Sequence, residues 1–122
     1  MRIDPVLSAD LTASLPRSRQ SIAARLRNAL SDLANGKATI ERHAERNWAS
    51  ITFAGTRHTL YLAFEGIDAV EAGEQLIEAM PEHEFLLPGQ IVADASVIAA
   101  QHTLLPVPTL KISLELLLLE DA

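Results

Sequence analysis

The last twelve residues, KISLELLLLEDA, constrain the fold of this chain more than any other segment. Every even position from Leu110 to Leu118 is apolar, while Lys111, Ser113 and Glu115 fall between them, which is typical of a strand with one buried face. A helix would scatter these apolar residues around its circumference, so a strand is favoured. Leu117 and Leu119 make the opposite face apolar as well. That second face is therefore expected to be buried, either by another part of the chain or by a second copy.

The bulk composition predicts one globular α+β domain. A chain of 122 residues with 48% hydrophobic residues can bury a core of its own. It contains no Cys, which excludes a disulfide framework, a thiol nucleophile and a Cys-based zinc site. The N-terminal stretch is a poor signal peptide, and no window has the length of a membrane span. We expect a soluble, cytoplasmic protein with an N-terminal arm (1–15) and a single domain (16–122).

The pattern of residues 18–36 predicts a first helix, since apolar residues recur at three- and four-residue spacing after Ser18, a plausible N-cap. Asn35-Gly36 supplies a typical helix end. Gly66 precedes a second helix that reaches about Met80. Asp68 and Glu71 resemble a capping box at its start.

Three stretches predict strands in addition to the last one. Residues 38–53 favour extended structure with a bulge or loop in the charged stretch 41–46, and residues 58–64 alternate after a turn at 54–56. In the stretch that begins at Ile91, the odd positions are apolar and predict a core-facing side: Ile91, Ala93, Ala95, Val97 and Ala99.

The predicted order is therefore α-β-β-α-β-β, or two αββ units. Joined into a four-stranded antiparallel sheet with both helices on one face, it is a circularly permuted ferredoxin-like arrangement. Gly73 on the second helix and the small residues Ala93, Ala95 and Ala99 would allow the helices to approach the sheet closely.

The sheet face away from the helices is predicted to be an interface. We expect a homodimer, because homodimers are the commonest closed assemblies. The interface residues would be Tyr61, Val92, Ile98, Leu117 and Leu119. The alternative is that the N-terminal arm folds back over this face, with Val6, Leu7 and Leu11 as the covering residues.

The sequence identifies no catalytic residue, and the candidates for an active site are Glu82, His83 and Glu84 in the loop after the second helix, together with Asp94. The four histidines lack the spacing of a metal site, so no metal is predicted. His58 shares the parity of Leu60 and is expected at the edge of the core with a hydrogen-bond partner. The scattered glycines form no phosphate-binding loop, and no cofactor is predicted.

Charge is divided unevenly along the chain. Residues 1–57 hold nine Lys or Arg and five Asp or Glu. Residues 58–122 hold one Lys and eleven Asp or Glu. A nucleic-acid surface would use Arg17, Arg25 and Arg27, but these arginines do not form a stripe. Pairing of the first helix with an acidic face of the second, at Glu71, Glu74 and Glu78, explains the asymmetry more simply.

Three hypotheses follow in order of support. The first is a small cytoplasmic interaction or regulatory module that acts as a homodimer without cofactor, membrane or nucleic acid. The second is a small enzyme with a carboxylate and histidine site at the subunit interface. The third is nucleic-acid binding through the first helix. The sequence identifies no small-molecule ligand.

Overall fold

The computed structural model describes residues 21–121 of the chain. Two helices and four strands follow in the order α1 (Ile22–Leu33), β1 (Thr39–Ala49), β2 (Ala54–Glu65), α2 (Ile67–Ala79), β3 (Gln90–Thr103) and β4 (Thr109–Glu120). A short 3-10 turn, Met80–Glu82, follows α2. The predicted N-terminal arm and the predicted N-cap Ser18 lie outside the described residues.

The four strands form one antiparallel sheet in the order β1-β2-β4-β3. β4 is therefore an inner strand, paired with β2 on one side and with β3 on the other. The α+β class is confirmed, and so is a strand rather than a helix at the end of the chain. The circularly permuted ferredoxin-like arrangement stays a prediction.

Local sequence explains both ends of α1. Ser21 has an extended backbone, and its hydroxyl accepts a hydrogen bond of 3.1 Å from the Ala24 N–H, so Ser21 is the N-cap. At the other end Asn35 and Gly36 take positive φ angles of 56° and 70°. That left-handed backbone ends the helix where the sequence predicts.

A single buried cluster joins both helices to one face of the sheet. β4 contributes every even position from Leu110 to Leu118, and β2 contributes Leu60, Leu62 and Phe64. The helices, their ends and the loop after α2 supply the remaining buried residues: Leu26, Leu30, Ala34, Ala69, Val70, Leu76, Met80, Phe85 and Leu87.

Gly73 determines how closely α2 approaches the sheet. A Cβ at this position would lie 2.8 Å from Leu110 Cδ2 and 2.8 Å from Phe64 Cδ1, closer than packed atoms allow. The predicted role of Gly73 is therefore confirmed. Of the alanines predicted beside it, Ala95 packs against the core, whereas Ala93 and Ala99 are exposed.

Two bulges in β3 change which of its residues face the helices. The register with β4 shifts between Val92 and Asp94 and again between Val97 and Ala99. Val92 lies opposite Leu118 and packs against the core. The expectations that all odd positions face the core and that Val92 lies on the opposite face are wrong, because each bulge inserts one extra residue and inverts the alternation.

The hairpin of β1 and β2 forms, but its turn lies earlier than predicted. The Ser50 N–H donates a hydrogen bond of 2.7 Å to the Phe53 carbonyl, and residues 54–56 are already part of β2. The predicted interruption of the charged stretch 41–46 is a single bulge between Ile40 and Arg42.

The predicted capping box at the start of α2 does not form. The helix begins at Ile67 with Gly66 as its N-cap, and none of the described side chains caps it. Gly66 has a φ of 96°, a backbone conformation that a side chain would disfavour. The sharp turn out of β2 therefore starts the helix one residue before Asp68.

Gly55 lies in β2 because β4 passes too closely for a side chain. A Cβ there would overlap the Leu118 carbonyl oxygen and would lie 2.9 Å from Leu119 Cα. Both are backbone atoms of a strand that is paired on its two sides, so neither can move without disturbing the sheet.

We expect Gly55→Ala to lower the free energy of unfolding by at least about 2 kcal/mol, since the added methyl group overpacks a rigid contact. Urea denaturation measures the change. Gly36→Ala is the matched control: its Cβ meets nothing within 4 Å, so it loses only about 1 kcal/mol to the positive φ. Equal losses in the two variants would contradict the close contact.

Candidate functional site

The β1–β2 pairing places two histidines on the helix side of the sheet. His58 lies directly opposite Glu45, and His43 lies opposite Leu60, whose side chain is in the core. The bulge beside Glu41 makes this possible, because it lets both Ile40 and His43 face α1 although they are three residues apart. The two imidazoles therefore meet between β1, β2 and α1.

A chain of hydrogen bonds links α1 to both histidines. Arg27 Nη1 lies 3.0 Å from His43 Nδ1, and His43 Nε2 lies 2.8 Å from His58 Nδ1. The two ring centroids are 5.1 Å apart. His58 is only 1% exposed, as the sequence predicts for a histidine at the core edge with a partner.

The Arg27 donor at one end of this series of hydrogen bonds determines the tautomers of both rings. An arginine only donates, so His43 Nδ1 accepts and His43 carries its proton on Nε2. That N–H donates to His58 Nδ1, and the neutral His58 ring then carries its proton on Nε2. His58 Nε2 is buried and has no hydrogen-bond partner among residues 21–121. An unsatisfied buried N–H costs about 1–3 kcal/mol, so this group lowers the free energy of unfolding.

The surroundings of the pair favour the neutral rings. Burial lowers the pKa of His43, and the neighbouring His58 and Arg27 lower it further, while the carboxylate of Glu45 acts in the opposite direction. Burial also lowers the pKa of His58, again against an opposing effect of Glu45. Neutral imidazoles each keep one lone pair that can accept a proton or a metal ion.

Glu45 completes a group of three. Its carboxylate oxygen and one nitrogen from each of His43 and His58 all lie within 4.8 Å of one another. Within residues 21–121 this is the one such group of three metal-ligating side chains. The sequence does not predict this group, because His43 and Glu45 belong to a charged stretch that resembles a loop. The only signal in the sequence is that His58 shares the parity of Leu60.

The predicted catalytic residues do line one cavity. Glu82, His83, Glu84 and Asp94 border an open cavity of about 510 Å³ between the loop after α2 and the start of β3. The His83 ring packs edge-on against Phe85, with centroids 4.5 Å apart. Among the described residues, no hydrogen bond or ion pair joins any two of the four. Their role in catalysis stays a prediction.

The predicted interface residues lie in different surroundings. The Arg42 guanidinium stacks on Tyr61 at 5.6 Å, and Ile98 is half-exposed beside a bulge of β3. Leu117 and Leu119 are buried within the single chain, each 8% exposed, although both lie outside the cluster under the helices. Their role as an interface is still a prediction.

Of the three arginines that the nucleic-acid hypothesis names, Arg25 and Arg27 lie on α1. Arg17 lies outside the described residues, and the guanidinium of Arg27 is engaged by His43. In the part of the chain that the structure describes, ion pairs join strands, Arg57 to Glu115 at 3.1 Å and Lys111 to Glu41 at 3.8 Å. No ion pair joins α1 to α2 among these residues, so the predicted pairing of the two helices is not seen as direct contacts.

Exposed apolar side chains gather at the two opposite ends of the sheet. What we call the Leu105 end contains the β3–β4 loop and the start of α2, which are tied together by a hydrogen bond of 2.8 Å from the Gly66 N–H to the Pro108 carbonyl. Its exposed apolar residues are Ile67, Leu104, Leu105 and Val107. What we call the Ile51 end contains the β1–β2 turn and the start of β3. Its exposed apolar residues are Ile51, Phe53 and Ile91.

Neither described helix, within residues 21–121, combines the length and the apolar character that crossing a membrane requires. No family model matches the chain, and no curated protein matches it either. Among solved structures, the fold is similar to a chain of the "virion of native gene transfer agent (GTA) particle". The TM-score is 0.51 at 13% sequence identity, over 84% of this chain and 92% of that chain. At this identity the likeness shows the fold alone.

We expect both His43 and His58 to be neutral near pH 7, with the proton on Nε2 in each ring, because Arg27 can only donate. Long-range ¹H–¹⁵N NMR spectra of the imidazole rings distinguish the two tautomers and the charged form. His83, a loop histidine outside the chain of hydrogen bonds, serves as the internal reference. A proton on Nδ1 of either His43 or His58 would contradict the assigned chain.

Proposed function

We propose that the protein is an interaction module that self-associates, in the smallest case as the homodimer predicted from the sequence. The observation that carries this proposal is the concentration of exposed apolar side chains at the Leu105 end and the Ile51 end. Leu105 is 79% exposed, and Ile51 is fully exposed. Grouped apolar side chains in water are typical of surfaces that bind another protein.

A second copy of the same chain is the favoured partner. Homo-oligomers are the commonest soluble assemblies. The fold is similar to that of a chain from a virion particle, which supports assembly by analogy of fold. Among the described residues, neither end carries the histidine and carboxylate group that would suggest chemistry.

The two ends allow two kinds of contact. If one end packs against the same end of a second copy, the contact closes as a dimer. If the Leu105 end packs against the Ile51 end, each copy has a further free end, and the contact continues into a ring or a filament. The proposal requires at least one of these contacts, and experiment can separate them.

Leu117 and Leu119 are a weaker basis for association than the exposed ends. Both side chains are already buried in the single chain. A charged substitution there would destabilise the fold with or without a partner, because it would bury a charge. The exposed residues of the two ends give a cleaner test.

An enzyme remains the second candidate, since Glu82, His83, Glu84 and Asp94 border one cavity. It ranks below self-association because no hydrogen bond or ion pair joins any two of these four side chains, all of which lie within the described residues. The enzyme hypothesis places this cavity at the subunit interface and predicts that Asp94→Asn and His83→Ala remove a small-molecule turnover. Variants that associate normally and keep the turnover would contradict it.

We expect the native chain to have a solution mass of at least twice its 13.2 kDa, and light scattering after size-exclusion chromatography measures this mass. Leu104→Asp/Leu105→Asp and Ile51→Asp/Phe53→Asp each place charges at one end, and at least one pair should lower the mass toward the monomer. Leu86→Asp is the matched control, an exposed leucine outside both ends, and should leave the mass unchanged. A native monomer at all concentrations would contradict self-association.

Mixing the two double variants separates the two geometries. If unlike ends meet, each variant alone is a monomer, and the mixture forms a dimer through the one intact end of each partner. If like ends meet, one variant alone keeps the native mass, and the other alone is a monomer. Circular dichroism spectra should match the native chain in both variants, since the substituted residues are exposed.

A further inference from the structure

We propose that His43, Glu45 and His58 bind a divalent transition-metal ion of the zinc type, in competition with Arg27. This inference concerns a different part of the molecule from the two apolar ends. It stands independently of self-association.

The ligand chemistry is the first argument. Two imidazoles and one carboxylate are ligands that Zn²⁺ and related ions prefer, and three protein ligands leave one coordination position for water. The three ligand atoms already lie within 4.8 Å of one another. Two nitrogens bound to one tetrahedral zinc lie about 3.3 Å apart. The 2.8 Å between His43 Nε2 and His58 Nδ1 therefore needs only a small widening.

The position of the group in the sheet is the second argument. Glu45 and His58 are a direct cross-strand pair, and His43 lies two residues from Glu45 on the same side of β1. The ligands thus come from two paired strands, which fix their spacing better than a loop would. His58 is buried, whereas Glu45 is exposed, so an ion can reach the group from solvent.

Counting lone pairs shows why Arg27 competes with a metal. The two neutral rings offer two lone pairs: the Arg27 N–H occupies one, at His43 Nδ1, and the His43 N–H occupies the other, at His58 Nδ1. An ion bound by both rings, at His43 Nε2 and His58 Nδ1, needs a lone pair on each of these two nitrogens. The proton of His43 must therefore move from Nε2 to Nδ1, where it would face the Arg27 N–H. The ion thus displaces the Arg27 hydrogen bond and breaks the bond between the histidines. The positive charge of Arg27 also repels a cation at this distance.

Arg27 consequently couples the metal to α1. In the hydrogen-bonded form its guanidinium attaches α1 to β1 through His43. In the metal-bound form that attachment is released, and the ion instead joins β1 to β2. Arg27 is half-buried at the surface, so its side chain can turn into solvent without moving the helix.

The test is a titration with ZnCl₂ in competition with a chromophoric chelator, on the full chain at pH 7.5. We expect one Zn²⁺ per chain. His43→Gln, Glu45→Gln and His58→Gln should each lower the affinity, by at least about tenfold for the histidines. Arg27→Ala should raise it by at least about threefold, because it removes both the competing donor and the repelling charge.

Matched controls come from the same elements. Arg25→Ala removes a charge from α1 that has no bond to the histidines, and His83→Ala removes an imidazole outside the group; both should leave the affinity unchanged. Because His58 is buried, His58→Gln can lose the fold. In that event, ¹⁵N shifts of the His43 and His58 ring nitrogens on addition of Zn²⁺ to the native chain decide the question.

Four results would contradict the proposal. Absence of saturable zinc binding in both the native chain and Arg27→Ala would overturn the site. Binding that persists at full strength in His43→Gln would do the same, as would ring shifts confined to His83 and His102. An unchanged or lower affinity in Arg27→Ala would overturn the competition.

Discussion

The pairing of β4 on both of its sides is the contact on which the rest of this structure depends. Its even positions from Leu110 to Leu118 form the floor of the core, and both helices pack on that floor. Its backbone lies so close to β2 that only glycine fits at position 55. A strand that is apolar on two faces is favoured at an inner position, where neighbouring strands on both sides help to bury it. The residues of β4 therefore favour the inner position that this strand occupies.

Much of this fold is predictable because periodicity reports local structure directly. The stripe of α1, the cap signal at Asn35-Gly36 and the alternation of β4 each depend on neighbouring residues alone. The two bulges of β3 are different, since the sequence around them shows no break in composition that would predict them. One inserted residue moved Val92 from the predicted outer face to the core. Sequence alternation therefore predicts the strands correctly but assigns some of their residues to the wrong face of the sheet.

The histidine pair shows the same limit at the level of a site. His58 is predictable as a core-edge residue, because it shares the parity of Leu60. His43 is not, because its charged neighbours resemble a loop and its direction depends on the bulge beside Glu41. A site made from two strands needs the register of both, and a single sequence carries no information on register unless one face is plainly apolar. In contrast, Glu82, His83 and Glu84 are adjacent in sequence, so their shared cavity required no register to foresee.

The sheet separates the proposed association surfaces from the proposed metal site along its strands. Phe53, at the Ile51 end, and His58 are five residues apart along one strand direction, or about 16 Å at 3.3 Å per residue. A substitution at the strand ends therefore reaches the histidines only through the pairing of β2 with its neighbours. Exposed loops tolerate changes that an inner strand does not, because their backbone is not held on both sides. Assembly at the ends and ion binding between β1 and β2 can thus vary independently on one unchanged core, which is why the two inferences require separate variants.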